Sequence, residues 1–333
     1  MIATCERGVE VVGVGSRLPE RVMTNDEIAT MVETSDEWIA SRTGIRQRRI
    51  AADGESSAVL GAAAAERALE SAGMAGSDLD LIVTATASPD FYFPATAALI
   101  GEQVGARGVP GYDLSAACTG FVYALAQAYG QLSAGLADRV LVVGTEVFSR
   151  LLDWGDRSTC VLFGDGAGAV VLARNGSSTG ILGFELGSDG SGGRLLEVAA
   201  AGHPADPAAD GYVHMDGAQV YKFATTVSVD SATRALTAAG LTVADVDVFV
   251  PHQANRRIID HAARRLGLSE DKVVTNVDRF GNTSAASIPI CLDEAHSDGR
   301  IKAGDVVLMT GFGGGLSWGS CVMEWTLPQK EAR

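Results

Sequence analysis

The chain repeats part of its sequence 167 positions further on, and this repeat limits the folds open to it. Residues 66–83 (ERALESAGMAGSDLDLIV) match residues 233–250 (TRALTAAGLTVADVDVFV), so that Arg67 corresponds to Arg234. The same separation relates Gly144 to Gly311, far from the first match. A register that recurs at distant places is better explained by duplication of one structural unit than by chance among abundant alanines and glycines.

Each copy of the unit reads as a helix, a glycine stop, an acidic turn and an apolar strand. The pattern predicts a helix over 62–72 that ends at Gly73, followed by a buried strand over 79–86. An N-terminal strand at 9–14 has its counterpart at 180–185. Strands that alternate with helices predict mixed α/β sheets with helices packed against them.

A duplicated unit predicts two similar halves, residues 1–175 and 176–333, whose sheets enclose a shared layer of helices. The helix after Cys118 and its counterpart after Asn282 would lie in that layer. Two segments rich in Gly, Asp and Pro break the pattern, and we expect surface loops or short excursions that cover the site there: residues 146–160 and 186–220.

Composition excludes several functional classes. The 333 residues are 47% hydrophobic, which is typical of a folded protein, and a net charge of −15 argues against a general nucleic-acid role. No apolar run reaches the ~20 residues that span a bilayer, and charged Glu6, Arg7 and Glu10 stand where a signal peptide needs an apolar core. Five widely spaced cysteines without a CxxC pair predict reduced thiols in the cytoplasm, and neither a disulfide framework nor a metal site.

Cys118 stands where a strand gives way to a helix. Small residues at 115–117 precede it, and Phe121, Leu125 and Tyr129 then recur on one helical face. The N–H groups at a helix start favour a thiolate, which is the nucleophilic form of cysteine. A lone cysteine beside alanines is also commonly a small core residue, so the rest of the chain has to decide between the two.

Three clusters of the second half would face Cys118 if equivalent strand ends meet. His252 follows a buried strand, at the end where α/β proteins place their chemistry. Asn282 lies in a glycine turn before a helix, where it could also serve as an N-cap. The run 311–316 holds consecutive glycines, which form tight turns or bring backbone N–H groups close to a ligand. Together the clusters predict thiol chemistry on an acyl group, with an oxyanion hole worth about 3 kcal/mol per donor.

Six motifs carry a resemblance that spans almost the whole chain: TSDEWIASRTGIRQRRI (34–50), DLSAACTGFVYAL (113–125), FGDGAGAVVL (163–172), VPHQANRRII (250–259), DRFGNTSAASIP (278–289) and GFGGGLSWGS (311–320). In these motifs the chain resembles the β-ketoacyl-acyl-carrier-protein synthase III family of the thiolase superfamily, which starts bacterial fatty-acid synthesis. The resemblance implies an α/β, duplicated, five-layered α/β/α/β/α thiolase-like fold. It also implies the catalytic set Cys118, His252 and Asn282, whereas other branches use a second cysteine, a second histidine or a glutamate.

The resemblance implies a decarboxylative Claisen condensation. Cys118 takes the acyl group from acyl-CoA, while the amides of Cys118 and Gly314 hold the oxyanion. Malonyl-acyl-carrier protein then loses CO2, and His252 and Asn282 donate hydrogen bonds to the enolate oxygen. The carbanion attacks the acyl-Cys118 thioester to give a 3-ketoacyl-carrier protein. No metal is expected, because His252 and Asn282 stabilise the enolate, and no other cofactor is expected, since acyl-CoA is a substrate.

Contacts to CoA are implied in the same way. Trp38 would stack on adenine, with Arg157 on the other face and Thr34 beside it, and Arg42 would pair with a phosphate. The remaining residues implied to line the pantetheine tunnel are Gly217, Tyr221 and Asn255. The alternatives without a binding role are that Trp38 packs against a helix and that Arg42 is a solvated surface charge.

The expected carrier-protein partner is acidic, as is this chain, so docking requires a local basic patch. The family's patch corresponds to Lys222, Arg257, Arg264 and Arg265. Residues 257, 261, 264 and 265 fall on one helical face. The alternative is an ordinary solvated helix face.

Family members are homodimers, and Phe93 resembles a residue that closes the partner's acyl pocket. It lies in an unusually aromatic stretch, SPDFYFPAT (88–96), and Leu316 replaces a common aromatic after the glycines. Both departures leave the primer open among acetyl, propionyl, branched and longer acyl groups.

Three other functions compete with fatty-acid initiation. A homologous synthase could prime a polyketide or another secondary metabolite. A dinucleotide-binding oxidoreductase is suggested by glycines at 13–16 and 164–169, but neither run gives GxGxxG after a first strand with a downstream acid. A non-catalytic acyl-CoA-binding scaffold is disfavoured by the intact set of Cys118, His252 and Asn282.

Overall fold

The computed structural model describes residues 8–176, 179–199 and 210–329. The described strands are β1 (Val9–Arg17), β2 (Arg21–Thr24), β3 (Gln47–Ile50), β4 (Leu81–Ala85), β5 (Gly111–Leu114), β6 (Arg139–Glu146), β7 (Gly166–Arg174), β8 (Ile181–Ser188), β9 (Leu196–Val198), β10 (Val213–Met215), β11 (Val248–Pro251), β12 (Val306–Gly313) and β13 (Ser317–Glu324). The described α-helices are α1 (Asn25–Ile28), α2 (Asp36–Thr43), α3 (Ser57–Ala72), α4 (Thr96–Gln103), α5 (Gly120–Ser133), α6 (Gly217–Ala238), α7 (Arg256–Leu266), α8 (Val277–Phe280) and α9 (Ser287–Ser297).

Two sheets with the same strand order form the centre of the molecule. The first has the order β1-β7-β6-β4-β5, and the second has the order β8-β13-β12-β11. β4 pairs in parallel with β6, as β11 does with β12, while the other equivalent pairs are antiparallel. β6 and β12 are related by the separation of 167 at both their ends. The repeat read from the sequence is therefore a repeat of topology.

Among the clusters of buried apolar side chains, one lies at the centre of the molecule and one covers the outer face of each sheet. In the central core, helices α5 and α9 lie between the inner faces of both sheets, with Leu125 and Ile288 among its fully buried members. α3 and α4 cover the outer face of the first sheet. α6 and α7 cover the outer face of the second. The result is the five-layered α/β/α/β/α thiolase fold that the sequence predicts.

Helix α3 shows how local sequence sets an element of this fold. The Ser56 hydroxyl accepts from the amide of Val59 and begins the helix five residues earlier than predicted. Gly73 ends it in a left-handed conformation, with φ 65°, as the glycine stop predicts. The alanine-rich face between these caps packs on β1, where a Cβ at Gly13 would lie 2.8 Å from the Cβ of Ala72.

The two segments expected to be loops differ from each other. Residues 146–160 follow the prediction, with a 3-10 turn at Phe148–Leu151 and further turns. Part of 186–220 instead forms a hairpin, in which β9 pairs antiparallel with β10. Each of these strands has three residues, which is too short for a readable period, and Val213 is only 2% exposed. Residues 200–209 lie outside the described part.

The predictions on cysteines and membrane spans can be compared only over the described residues. Cys118, Cys160, Cys291 and Cys321 are free and buried there, and Cys5, with Glu6 and Arg7, lies outside them. None of the helices in the described ranges is long and apolar enough to cross a membrane.

Candidate active site

Cys118 sits at a tight junction between β5 and α5. Ala117 has a left-handed backbone, with φ 45°, and a 3-10 turn over Ala117–Thr119 leads directly into α5. Such a conformation is rare for a residue with a Cβ and costs about 1–3 kcal/mol. The surrounding fold therefore imposes the turn that presents the thiol, and Cys118 is only 4% exposed.

A cavity of about 80 Å3 opens beside this thiol and brings together six of the predicted residues, including the three predicted to be catalytic. From the predicted set it holds Cys118, Gly217, Tyr221, His252, Asn255 and Asn282. Side chains that sequence reasoning did not assign complete the wall, and they include Phe163, Leu196, Met215, Ile258 and Phe312. Apolar walls with few polar groups are typical of a site that binds an acyl chain or a pantetheine arm.

His252 lies directly after β11 and is 1% exposed. Its backbone amide donates to the carbonyl of Thr310 at 2.8 Å, which extends the β11–β12 pairing by one residue. Nδ1 lies 2.7 Å from the hydroxyl of Ser287, and the ring packs edge-on against Phe312 with centroids 5.2 Å apart. Burial lowers the pKa of His252 to about 3, so the imidazole is neutral at physiological pH.

Asn282 is held at both its backbone and its side chain. Its amide donates to the carbonyl of Leu162 at 2.9 Å, and its carbonyl accepts from Gly164 at 3.0 Å. The side-chain Oδ1 accepts from the amide of Ser284 at 2.8 Å. Because Oδ1 is occupied, Nδ2 is the atom left to donate into the cavity. The N-cap of the following 3-10 turn is Thr283, so the capping alternative for Asn282 is wrong.

The pKa of the Cys118 thiol depends on burial as well as on the helix start. Burial, and after it the charge of Glu146, raises the pKa of Cys118 to about 12, while the adjacent Ser284 hydroxyl and the backbone at the helix start oppose the rise. The backbone at the helix start thus lowers the pKa of the thiol, as the sequence predicts, but desolvation raises this pKa by more, so the resting group is a neutral thiol. The thiol must lose its proton as it attacks.

Glu146 is a fully buried carboxyl that the sequence did not point to. It ends β6 and accepts from the hydroxyl of Ser88 at 2.6 Å and from the amides of Ala87 and Ala285. Burial raises its pKa to about 7, against these hydrogen bonds. Ser284 Oγ is buried beside it without a well-formed hydrogen bond. A titratable group thus lies behind the thiol.

The glycine run after β12 approaches the thiol closely. A Cβ built at Gly313 would lie 3.2 Å from Sγ of Cys118 and 3.0 Å from its amide nitrogen. A Cβ built at Gly314 would lie 2.9 Å from the carbonyl oxygen of Leu196 and 3.6 Å from the Cβ of Ala117, and the Gly314 carbonyl accepts from the Ser317 hydroxyl at 2.9 Å. Only a residue without a side chain fits at Gly313, which accounts for part of the glycine run.

The residues expected to bind adenine and phosphate form a separate group outside the cavity. The Arg42 and Arg157 guanidinium carbons each lie 4.9 Å from the centroid of a Trp38 ring, and Arg157 also donates to the carbonyl of Glu33 at 2.9 Å. Thr34 stands four residues before Trp38, and its Oγ1 is buried without a hydrogen-bond partner among the described residues. This group touches the cavity wall where Asn255 donates to the carbonyl of Arg42 at 3.2 Å.

The four predicted docking residues are exposed, and two of them, Arg257 and Arg264, line a groove that Tyr221 also lines. Lys222 lies in the first turns of α6, and Arg257, Arg264 and Arg265 lie on α7. The Arg257 guanidinium carbon stands 5.3 Å from the Tyr221 ring centroid. Within the described ranges none of the four forms an ion pair, whereas Arg256 is paired with Asp260 and Glu270. The helix therefore presents free positive charge.

The two residues assigned to the acyl pocket lie apart from the cavity of their own chain. Phe93 is 86% exposed and lines a second, open pocket of about 790 Å3 with Phe91 and Tyr92. Leu316 is buried near Gly192, and its backbone pairs with Asp189. Neither lines the Cys118 cavity within one chain.

Fold and cavity define the class of protein first: a thiolase-fold condensing enzyme of the acyltransferase type. The family model "3-Oxoacyl-[acyl-carrier-protein (ACP)] synthase III" matches residues 112–190, and the model of the C-terminal part matches residues 236–325. A beta-ketoacyl-[acyl-carrier-protein] synthase III of Desulfitobacterium hafniense is 49% identical over 324 residues, which cover 96% of this chain and 98% of that protein. The chain belongs to the 3-oxoacyl-acyl-carrier-protein synthase III family, an acyltransferase family.

Solved structures agree with this assignment. The synthase III of Thermus thermophilus superposes with a TM-score of 0.92 at 45% identity, covering 96% of this chain and 99% of that one. The priming β-ketosynthase of the R1128 polyketide pathway superposes with a TM-score of 0.93 at 40% identity, covering 98% and 99%. Similarity of fold alone therefore does not separate a fatty-acid from a polyketide setting.

Proposed function

We propose that the chain catalyses the decarboxylative condensation of an acyl-CoA primer with malonyl-acyl-carrier protein, giving 3-ketoacyl-carrier protein, CoA and CO2, and so starts fatty-acid synthesis. The observation that carries this proposal is the meeting of Cys118, His252 and Asn282 in one buried cavity. A thioester on Cys118 would face two side-chain donors whose other ends are already held. Neutral donors stabilise an enolate as it forms.

The order of steps follows from the chain's own groups. The Cys118 thiol attacks the primer thioester, and its sulfur–acyl bond forms as the bond to CoA sulfur breaks. Amides at Cys118 and Gly314 would hold the oxyanion. Malonyl-carrier protein then loses CO2 while Nε2 of His252 and Nδ2 of Asn282 donate to the enolate oxygen. The new carbon–carbon bond forms as the Cys118 thioester breaks. The thiol proton left with CoA during acylation, so the Cys118 thiolate takes up a proton from solvent. We expect neither a metal nor another cofactor.

Partners and setting are part of the same proposal. Lys222, Arg257, Arg264 and Arg265 would dock the acidic carrier protein, because these cations are exposed and free of ion pairs within the described residues. Trp38, Arg42 and Arg157 would hold the CoA nucleotide. The exposed aromatic loop at Phe93 supports a homodimer, and the four free cysteines among the described residues support a cytoplasmic setting.

The test is intact-protein mass spectrometry after incubation with a panel of acyl-CoAs, with wild type and Cys118→Ala in parallel. Wild type should gain one acyl group from at least one CoA ester, and the variant should gain none. Adding malonyl-carrier protein should then discharge the acyl group as 3-ketoacyl-carrier protein. Absence of acylation by every acyl-CoA would remove the first half-reaction and the proposal with it.

A polyketide-priming role is the second candidate, because the R1128 priming synthase is 40% identical over nearly the whole chain. The two roles use the same chemistry and differ in the carrier protein and the primer. Comparing discharge onto malonyl groups held by a fatty-acid carrier protein and by a polyketide carrier protein would distinguish them. Preference for the polyketide carrier by tenfold or more would favour the second role.

A further inference from the structure

We infer that Ser287 is a positioning residue that holds His252 in the tautomer carrying its proton on Nε2, the nitrogen that faces the cavity. The inference rests on the proposed function, since it explains how His252 comes to be a donor. Ser287 is the first residue of α9, the helix equivalent to the one after Cys118. Its hydroxyl is buried and lies 2.7 Å from Nδ1 of His252.

A neutral imidazole can be protonated at either nitrogen, and only one choice serves the reaction. With the proton on Nδ1, the ring would present a lone pair to the cavity and repel the enolate oxygen. With the proton on Nε2, it would present a donor. The distance between Nδ1 and Ser287 is compatible with either direction of that hydrogen bond, so the rest of the network has to decide.

The decision comes from the backbone amide of Gln253, which donates to the same Ser287 oxygen at 3.4 Å. An amide cannot accept, so the serine oxygen is an acceptor there. Among the described residues Ser287 Oγ has no hydrogen bond other than these two, to His252 and to Gln253. The hydroxyl proton therefore has one place to go, which is Nδ1. If His252 donated instead, the buried hydroxyl proton would be left without an acceptor, which is unfavourable.

Gln253 fixes this geometry from the other side. Its Nε2 donates to the carbonyls of Pro251 and Val274, and its Oε1 accepts from the amides of Asn276 and Val277. All four capacities of this buried side chain are filled, so the chain after β11 cannot rotate to release its amide from Ser287. The donor at Nε2 is thus set by a serine and a glutamine that never reach the substrate.

The experiment reads the tautomer directly. Wild type is labelled with ring-15N histidine, and long-range 1H–15N correlation spectra are recorded on the free protein at neutral pH. The chain has five histidines, and the His252 signals are those absent from His252→Gln. We expect a pyridine-type Nδ1 and a pyrrole-type Nε2. Because no substrate is present, this measurement can succeed or fail independently of the condensation assay.

The variants separate positioning from folding. Ser287→Ala should lose the single tautomer and slow condensation about tenfold, with the acylation half-reaction unchanged. Ser287→Thr keeps a hydroxyl and should keep the tautomer. Ser297→Ala, an exposed site on the same helix, should change neither. A pyrrole-type Nδ1 in wild type would overturn the inference even if Ser287→Ala failed to fold. So would an unchanged tautomer in a folded Ser287→Ala.

Discussion

Ala117 and Ser284, 167 positions apart, adopt the same left-handed backbone, with φ 45° and 47°. Each begins a 3-10 turn, at Ala117–Thr119 and at Ser284–Ala286, and each turn leads into a central helix. The second half therefore keeps the junction that presents the nucleophile in the first. Cys118 corresponds there to Ala285, and the two turns touch, since a Cβ at Gly120 would lie 3.5 Å from the Cβ of Ala285.

The symmetry also explains the buried carboxyl. Glu146 corresponds to Gly313, since both end the equivalent strands β6 and β12. Gly313 leaves room beside Cys118 for a substrate. Glu146 fills the equivalent place with its own side chain and accepts from the Ala285 amide at 3.4 Å, the counterpart of the proposed oxyanion donor at Cys118. The place beside Cys118 is thus open, and the equivalent place beside Ala285 is filled by a carboxyl group.

Thiol reactivity should report on Glu146. With a thiol pKa of about 12, the rate of alkylation by iodoacetamide should rise steeply with pH between 6 and 9, because the thiolate fraction rises about tenfold per pH unit. The rise should be shallower near pH 7, where Glu146 gains its charge and raises the thiol pKa further. Glu146→Gln should remove this flattening and react several-fold faster at pH 8.5. Slower alkylation of a folded Glu146→Gln would contradict the electrostatic role.

Gly313→Ala should abolish acylation while leaving the fold intact. The added Cβ would lie 2.9 Å from the Cβ of Cys118 and 3.2 Å from Sγ, so it would displace the thiol or its substrate. We expect a loss of about 100-fold or more in the acylation rate, measured by mass spectrometry. Gly130→Ala is the matched control, because its Cβ would meet nothing within 4 Å on the exposed side of α5. Near-normal acylation by Gly313→Ala would show that the thiol can retreat without cost.

Asn282→Asp should separate the two half-reactions. An aspartate keeps an oxygen for the Ser284 amide, so the turn should persist, but it replaces the Nδ2 donor by a negative oxygen. Acylation of Cys118 should proceed, and condensation should fall roughly 100- to 1000-fold because the enolate loses a donor and meets a charge. Accumulation of acyl-enzyme in the presence of malonyl-carrier protein is the expected readout. Turnover close to wild type would exclude Asn282 as an enolate donor.

The sequence predicts the duplicated fold and the meeting of Cys118, His252 and Asn282 because both follow from its repeat and its motifs. The strand ends that carry Cys118 and His252 converge once the two sheets are superposed by the separation of 167. A residue that positions a site residue, as Ser287 is inferred to position His252, is harder to find from sequence. Ser287 stands in a run of small residues that reads as the start of a helix, and its bond to His252 joins positions 35 apart.

The state of the thiol could not be read from sequence because it depends on burial. The helix start is visible in the pattern of residues 115–129, but the desolvation that opposes it comes from both halves packed together. Glu146 ends an apolar strand and resembles an ordinary surface acid in sequence. The sequence does contain a signal for Glu146. The separation of 167 that aligns β6 with β12 makes Glu146 the counterpart of Gly313, which lies beside Cys118.

Carrier-protein docking should depend on charge at Arg264. Arg264→Glu should raise KM for malonyl-carrier protein about tenfold, with KM for acyl-CoA unchanged, because the Arg264 side chain is exposed on α7. The loss should shrink at high salt, where surface charges are screened. The control is Lys302→Glu, which makes the same change of charge shortly before β12 begins. Equal effects of both substitutions would point to net charge and away from a docking face.

Burial of His252 should make the folded protein sensitive to acid. Its pKa is about 3 when folded and about 6.5 when unfolded, so the unfolded state binds more protons between these values and stability falls as pH drops below 6.5. Between pH 6.5 and 5 this group alone should cost about 2 kcal/mol. The pKa of Glu146 is raised when folded, which acts in the opposite sense, because the folded state binds more protons from about pH 4.5 to 7. The contribution of His252 is measured by urea unfolding of wild type and His252→Gln across this pH range. The variant should lose less stability on acidification. Parallel curves of stability against pH would show that His252 is already accessible to protons in the folded state.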